Sequence, residues 1–427
     1  MSFEDLVQSL RHLDGNNGLP LPRVALGAVN KDGEGTMTSN RHGANLWGIK
    51  GLFHFAKAFG EESKDTMETD AVHYLASSTK IITTIAALQC VEKGLLHLDA
   101  NIGLVLPQWE SPQVLTGFDH NDQPIFKSST KFITLRHLLT HSSGLAYVFM
   151  EPLLTRYAQL PTAEPRNASN GLEQKFYPFL ICEPGERWHY SPGVDWAGRM
   201  VEKVTSMKLG EYMKAHIFDL VSAKDSTFHL EDREDMRSRR ANLWERVGDE
   251  IRAPDTVPWA DPIRDDIGGG GLWSTVSDLL KIFSGILGYK LLHEDTVKSM
   301  FEPQLKTTAG FDNQPGHSAS YRNAIYNSVP VESPVNFGLG GLMNLEAVPG
   351  RRAARSLTWS GMPNIYWWID LENGVAGAYL SQLIPTGDDQ AVKLFTAFEK
   401  FVYRNVHSLK EQQPAGCRPY NHGCAQT

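Results

Sequence analysis

The spacing of hydrophobic positions changes character along this chain. Residues 2–13 carry apolar positions at helical intervals, and two short runs with strand character follow at Arg23–Ala28 and Gly51–Ala56, punctuated by glycines. From Ser77 to about residue 285 helical patterns dominate. Ile81, Ile82, Ile85, Leu88 and Val91 form one stripe, and Gly94 stands where that helix should stop. A second amphipathic stretch runs from about Ser277 to Leu287, behind Gly268-Gly269-Gly270-Gly271-Leu272-Trp273. Beyond residue 335 strand-like segments return at Asn336–Leu345, Ser356–Trp359, Asn364–Asp370 and Val375–Leu383, before a last helix over Asp389–Tyr403.

Strand patterns at both ends with helices between them predict an α/β fold in which one sheet is assembled from both chain ends and interrupted by a helical insertion. The expected organisation is a discontinuous α/β domain over 1–76 and 276–410, a mostly helical domain over 77–275, and a flexible tail over 411–427. The glycine run lacks the Lys-Ser/Thr ending of a phosphate loop and the acidic partner of a dinucleotide site. It is read as backbone crowding near a pocket.

Composition narrows the function classes. With 427 residues and 41% hydrophobic content, the chain can bury a sizeable core. A net charge of −8, with no basic stripe interleaved with aromatics, argues against nucleic acid as a partner. Two arginine clusters stand out: Arg233, Arg237, Arg239 and Arg240, then Arg351, Arg352 and Arg355. They read as solvated faces or as a docking patch for an acidic carrier protein. No apolar run is long enough to span a membrane, and the first residues show no basic leader followed by an apolar stretch, so a cytoplasmic protein is expected. The spacing of Cys90, Cys182, Cys417 and Cys424 suits neither a metal site nor a disulfide framework, and Asn167-Ala168-Ser169 is a glycosylation sequon only if the chain is secreted.

The candidate chemistry lies in Ser77-Ser78-Thr79-Lys80 and Tyr190-Ser191-Pro192, which together supply a nucleophile and two basic groups. An isolated Ser-x-x-Lys match is weak; roughly one or two are expected by chance in a chain this long. The same tetrapeptide indeed recurs at Ser128-Ser129-Thr130-Lys131. Context separates the copies. Ser77 falls at a helix start, where residues three apart share a face and unpaired backbone N–H groups favour an oxyanion. Ser128 falls in an extended or loop segment, which would turn Lys131 away from it.

Three further segments are similar, in order and spacing, to class C β-lactamases and family VIII esterases: His137-Leu138-Leu139-Thr140-His141-Ser142-Ser143-Gly144-Leu145, Tyr190-Ser191-Pro192-Gly193-Val194-Asp195-Trp196-Ala197-Gly198 and Trp359-Ser360-Gly361-Met362-Pro363-Asn364. The chain thus resembles the serine β-lactamase-like superfamily, and within it the fungal acyltransferases of polyketide pathways. The resemblance implies an antiparallel sheet flanked by helices, of the penicillin-binding-protein type, with a mostly helical inserted domain. It also implies Ser77 as nucleophile, Lys80 as its partner, Tyr190 as base, and the backbone N–H groups of Ser77 and Met362 as the oxyanion hole.

Two positions depart from the β-lactamase pattern. Pro192 stands where those enzymes have Asn, and Trp359 stands where they have a lysine that meets the antibiotic carboxylate. Both argue against antibiotic hydrolysis. Tyr147, Phe149, Trp273, Trp359, Tyr366 and Trp367, with Ser360 and Gly361, suggest an aromatic cleft for an apolar substrate. The resulting expectation is a serine acyltransferase moving an acyl group from a thioester, on an acyl carrier protein or CoA, to a hydroxyl of a polyketide-like or terpenoid small molecule. It needs no metal or organic cofactor and works as a monomer. A carboxylesterase or thioesterase would use the same residues, and a non-catalytic binding module on the same scaffold is the reading from another class.

Overall fold

The structure is a computed structural model and describes residues 23–31, 54–59, 69–166, 171–311 and 317–411, with side chains to residue 406. The expected helix over 2–13, the tail over 411–427 with Cys417 and Cys424, and the Asn167 sequon lie outside the described residues, Glu411 apart.

A seven-stranded antiparallel sheet forms the centre. Its strands are β1 (Val24–Asn30), β2 (His54–Phe59), β3 (Val335–Phe337), β4 (Leu342–Asn344), β5 (Leu357–Gly361), β6 (Ile365–Asp370) and β7 (Val375–Leu380), in the order β2-β1-β7-β6-β5-β4-β3. Leu26 pairs with Tyr379 on one side and with Lys57 on the other, so the sheet is closed by strands from opposite ends of the chain. The strand-like run expected over Asn336–Leu345 divides into β3 and β4 at Gly338–Gly341, where the Gly338 N–H donates to the Gly341 carbonyl.

Four helices are needed to place the site: α1 (Thr79–Glu92), α2 (Gly193–Thr205), α3 (Val276–Leu287) and α4 (Asp389–Glu411). α4 covers one face of the sheet with Phe395, Phe398 and Val402, against Tyr366, Trp368 and Tyr379. α3 covers the other. There Phe283 lies 5.8 Å from Trp367, and one apolar cluster continues from Ile369 and Ala378 through α3 to Ile82 and Ile85 of α1 and to Ala197 and Val201 of α2. Both sheet faces are therefore buried, which is why β6 reads Ile-Tyr-Trp-Trp-Ile with no polar alternation.

α1 is wrapped as well. All residues from Thr79 to Cys90 are buried, as expected of a helix that is apolar or small-polar all round. It ends as predicted, at Gly94 with φ +68°, whose N–H donates to the Val91 carbonyl. The helical region also contains an antiparallel hairpin that the sequence reading assigned no hairpin, Gln113–Phe118 with Pro124–Ser128. The second Ser-Ser-Thr-Lys copy begins at its edge.

Candidate active site

Ser77 stands in the single tight turn that leads into α1, half-buried. The residue before it, Ala76, has φ +44°, a left-handed conformation that costs a non-glycine residue roughly 1 kcal/mol or more. It is held there by neighbours: the Leu75 N–H donates to the Leu272 carbonyl at 2.9 Å, and the Ser78 N–H to the Leu75 carbonyl at 3.0 Å. Gly361, the last residue of β5, lies directly over this segment. A Cβ at Gly361 would stand 2.2 Å from the Leu75 carbonyl oxygen, so the position admits only hydrogen. Met362 follows at once, its carbonyl accepting the Thr386 hydroxyl at 2.7 Å.

One turn along α1, Lys80 is 2% exposed and spends its amine on three oxygens. Nζ donates to Ser77 Oγ at 3.2 Å, to the Tyr147 hydroxyl at 3.3 Å and to the Gly269 carbonyl at 2.6 Å. Three acceptors match the three donors of an ammonium group. Nζ also lies 4.8 Å from the centre of the Tyr190 ring. The Tyr190 hydroxyl is hydrogen-bonded to Ser77 Oγ. The three side chains singled out in the sequence thus meet within hydrogen-bond reach.

A carboxylate that the sequence reading passed over completes this arrangement. Asp195, in the first turn of α2 and 2% exposed, accepts the Gly269 N–H at 3.2 Å and the Tyr147 hydroxyl at 3.3 Å. It touches both groups that receive Lys80 and so supplies a buried negative charge to balance the amine indirectly. Burial, reinforced by Asp195, holds the Tyr147 phenol well above its ordinary pKa, so its proton stays and points at Asp195. Gly269 has no room for a side chain, since a Cβ would stand 2.1 Å from Asp195 Oδ2. The glycine run is therefore crowded for a chemical reason. No spacing rule links Asp195 to Gly269; only the fold does.

Behind Tyr190 lies His141, another residue without a predicted role. Its ring is 4.8 Å from that of Tyr190 and 6.1 Å, nearly parallel, from Trp359. Its Nδ1 is 3.0 Å from the Ser191 hydroxyl. Burial, helped by the charge of Lys80, keeps the imidazole well below its ordinary pKa and therefore neutral.

The expected cleft residues divide. Tyr147 borders Lys80, and Phe149, 76% exposed, stacks on its ring at 5.4 Å. Trp359 is buried against Tyr190 at 5.2 Å between ring centres. Trp273 packs with Tyr74 at 5.1 Å in a small cluster that Met362 joins. The Ser360 hydroxyl is spent on the Ala324 carbonyl at 2.5 Å. Tyr366 is a correction. It points to the α4 face, stacks on Phe395 at 5.2 Å and donates to Asn364 at 2.6 Å, because alternation along β6 puts it opposite Trp367. Trp367 in turn is core against α3.

Ser128 ends a surface hairpin strand, where its hydroxyl accepts the Gln113 side-chain amide at 3.2 Å. The Ser129 hydroxyl bonds the Lys131 carbonyl at 2.7 Å and Glu183 at 2.8 Å, and among the described residues no hydrogen bond joins the Lys131 amine to Ser128. The arginine clusters are also neutralised. Arg233 pairs with Asp235 at 2.7 Å, Arg239 with Asp225 at 3.0 Å and Arg240 with Asp261 at 3.4 Å, while Arg352 and Glu399 form a fully buried pair at 2.8 Å. Among the described residues no group of His, Cys, Asp and Glu is placed to hold a metal, and no helix is long and apolar enough to cross a membrane.

A family model described as Beta-lactamase matches residues 36–399. The chain belongs to the β-lactamase family, with the fold of the serine β-lactamases and penicillin-binding proteins. It is 36% identical over 378 residues to lovastatin esterase from Penicillium rubens, covering 85% of this chain and 94% of that protein. It is 35% identical over 346 residues to monacolin J acid methylbutanoyltransferase from Aspergillus terreus, covering 79% and 83%. Among solved structures, unliganded simvastatin synthase from Aspergillus terreus superposes with a TM-score of 0.80 at 29% identity, over 95% of this chain and 99% of that one.

Proposed function

We propose that this protein is a serine acyltransferase that takes an acyl group from a thioester onto Ser77 and passes it to a hydroxyl of a polyketide-like or terpenoid small molecule. One observation carries the reading: the Ser77 hydroxyl receives both the Lys80 amine and the Tyr190 phenol. In the first step the Ser77 oxygen attacks the thioester carbonyl while Tyr190, reacting as its phenolate, takes the Ser77 proton; the C–S bond breaks and Tyr190 passes that proton to the departing thiolate. In the second, the acceptor alcohol gives its proton to Tyr190 and attacks the acyl-serine, the bond from Ser77 Oγ to the acyl carbon breaks, and Tyr190 returns the proton to Ser77. Lys80, bonded to Ser77 Oγ, steadies negative charge that develops on the oxygens around it. The backbone N–H groups of Ser77 and Met362 would receive the oxyanion, favoured by the start of α1. The 35% identity to a methylbutanoyltransferase supports transfer.

The second reading is hydrolysis, favoured by the 36% identity to an esterase. Both use the same residues, and they differ only in whether water reaches the acyl-serine. The deciding experiment starts with a p-nitrophenyl ester: an acyl adduct appears by intact mass in the native protein and is absent in Ser77→Ala. Monacolin J acid or its methyl ester is then added. Ester product that rises with alcohol concentration supports transfer; free acid forming at the same rate whatever alcohol is present would replace the transferase with an esterase.

A further inference from the structure

Beside Tyr190 a cavity of about 220 Å³ opens to solvent. Its apolar wall is Met150, Pro152 and Trp188, and Tyr190 is its link to the site above. Its polar lining is unevenly occupied. Glu151 is spent: Oε1 accepts the Leu153 N–H at 3.1 Å and Oε2 lies 3.3 Å from His189 Nδ1. Burial, with Arg187 adding to it, pushes His189 down to about 4, so near neutrality the ring is uncharged and Nδ1–H serves Glu151. Two donors remain. The exposed Arg187 guanidinium has no ion pair or hydrogen bond among the described residues, and the Tyr321 hydroxyl has none either. The Tyr321 phenol is pushed up by burial and keeps its proton.

Arg187 precedes the tyrosine motif and Tyr321 belongs to the distant helix Ala319–Tyr326, yet the fold brings both to one small cavity. Resting on the acyltransfer reading above, we infer that this cavity is the subsite for an anionic oxygen group on a substrate, a carboxylate or a phosphate, held by Arg187 and Tyr321. A guanidinium fork matches either group, and a neutral substrate end would leave both donors unpaired. The cavity is too small for a whole drug-sized molecule, which suits the end of a chain whose reacting hydroxyl or thioester lies at Ser77. The anion has two possible sources, the acceptor's own carboxylate or the phosphates of a CoA-type or phosphopantetheine donor.

Equilibrium titration calorimetry of the full chain tests this without requiring turnover. The probes are two pairs: the acid named above against its methyl ester, and CoA against pantetheine. The native protein should bind the charged member of one pair about tenfold more tightly than the neutral member, the range expected for one charge-assisted contact. Arg187→Met should abolish that ratio, and Tyr321→Phe should reduce it several-fold. Discrimination within the acid pair assigns the subsite to the acceptor; within the CoA pair, to the donor. If neither pair is discriminated, or if the ratio survives in Arg187→Met, the inference is wrong. A thermal midpoint within a few degrees of the native value shows that both variants fold. Absence of Ser77 acylation by the p-nitrophenyl ester in the native protein would overturn the enzymatic reading instead, since binding is measured independently.

Discussion

Replacing Asp195 by Asn tests the buried carboxylate behind Lys80. The substitution preserves shape but gives one of the two positions an NH₂ where an acceptor is needed. Asp195 now accepts from Gly269 at 3.2 Å and from Tyr147 at 3.3 Å, and an amide oxygen can keep only one of these without rearrangement. If the amide turns its nitrogen to Tyr147, the phenol proton must swing towards Lys80 and the ammonium loses one of its three acceptors. If it turns to Gly269, the peptide that receives Lys80 at 2.6 Å is pushed away. Either way one hydrogen bond to a charged group is lost at a buried site, worth about 1.5–3 kcal/mol. At 1.36 kcal/mol per tenfold, the acylation rate should fall roughly ten- to 150-fold. The assay is the burst of p-nitrophenol in stopped flow, which isolates acylation from the later step. A thermal midpoint measured alongside separates lost chemistry from lost folding. A burst rate within threefold of the native value, in a folded Asp195→Asn protein, would refute the idea that this carboxylate sustains Lys80.

Other expectations follow from the same geometry. Tyr147→Phe removes one acceptor from Lys80 while keeping the stack with Phe149, so the acylation burst should slow by about tenfold, consistent with one hydrogen bond to a charged donor. Gly361→Ala places a methyl 2.2 Å from the Leu75 carbonyl and must push β5 off the segment that presents Ser77; a loss of about 1–3 kcal/mol in urea unfolding and a collapse of acylation are expected, and an unaffected burst would contradict the contact. His73 and His189 are held at about 4 and His141 well below 6.5, each chiefly by burial, so the unfolded chain takes up protons that the folded one refuses below pH 6.5. Stability should therefore fall as pH drops from 6.5 towards 4, by about 2 kcal/mol at pH 5 for a fully buried histidine such as His73; chemical denaturation at pH 7 and pH 5, with His73→Gln as control, measures it.

Much of this was legible in the sequence, for identifiable reasons. Strand segments at both ends carried their own pattern, and β5, β6 and α3 fall within a residue or two of the expected positions. Ser77 and Lys80 were separable from the second copy because one lay on a helix start and the other did not. Tyr366 was misplaced because β6 is buried on both faces: without polar alternation, nothing local says which aromatic faces α3 and which faces α4. Asp195 was hidden for a different reason. A carboxylate in the first turn of a helix is ordinary helix chemistry, and its partner, a glycine peptide far along the chain, is revealed only by proximity. The hairpin over 113–128 was missed inside a region whose dominant period is helical.

The pairing of β1 with β7 bears on how the molecule is made as well as on what it does. As β1 leaves the ribosome its inner neighbour does not yet exist, and the edge that will meet Ala376 to Leu380 stays unpaired until nearly the whole polypeptide has emerged. Contacts so remote in sequence slow the search for the native state and lengthen the exposure of sticky backbone. A nascent chain stalled before residue 375 would own a nucleophile, an amine and a phenol yet have no scaffold to aim them, so competence should arrive abruptly with the last strands rather than grow with length.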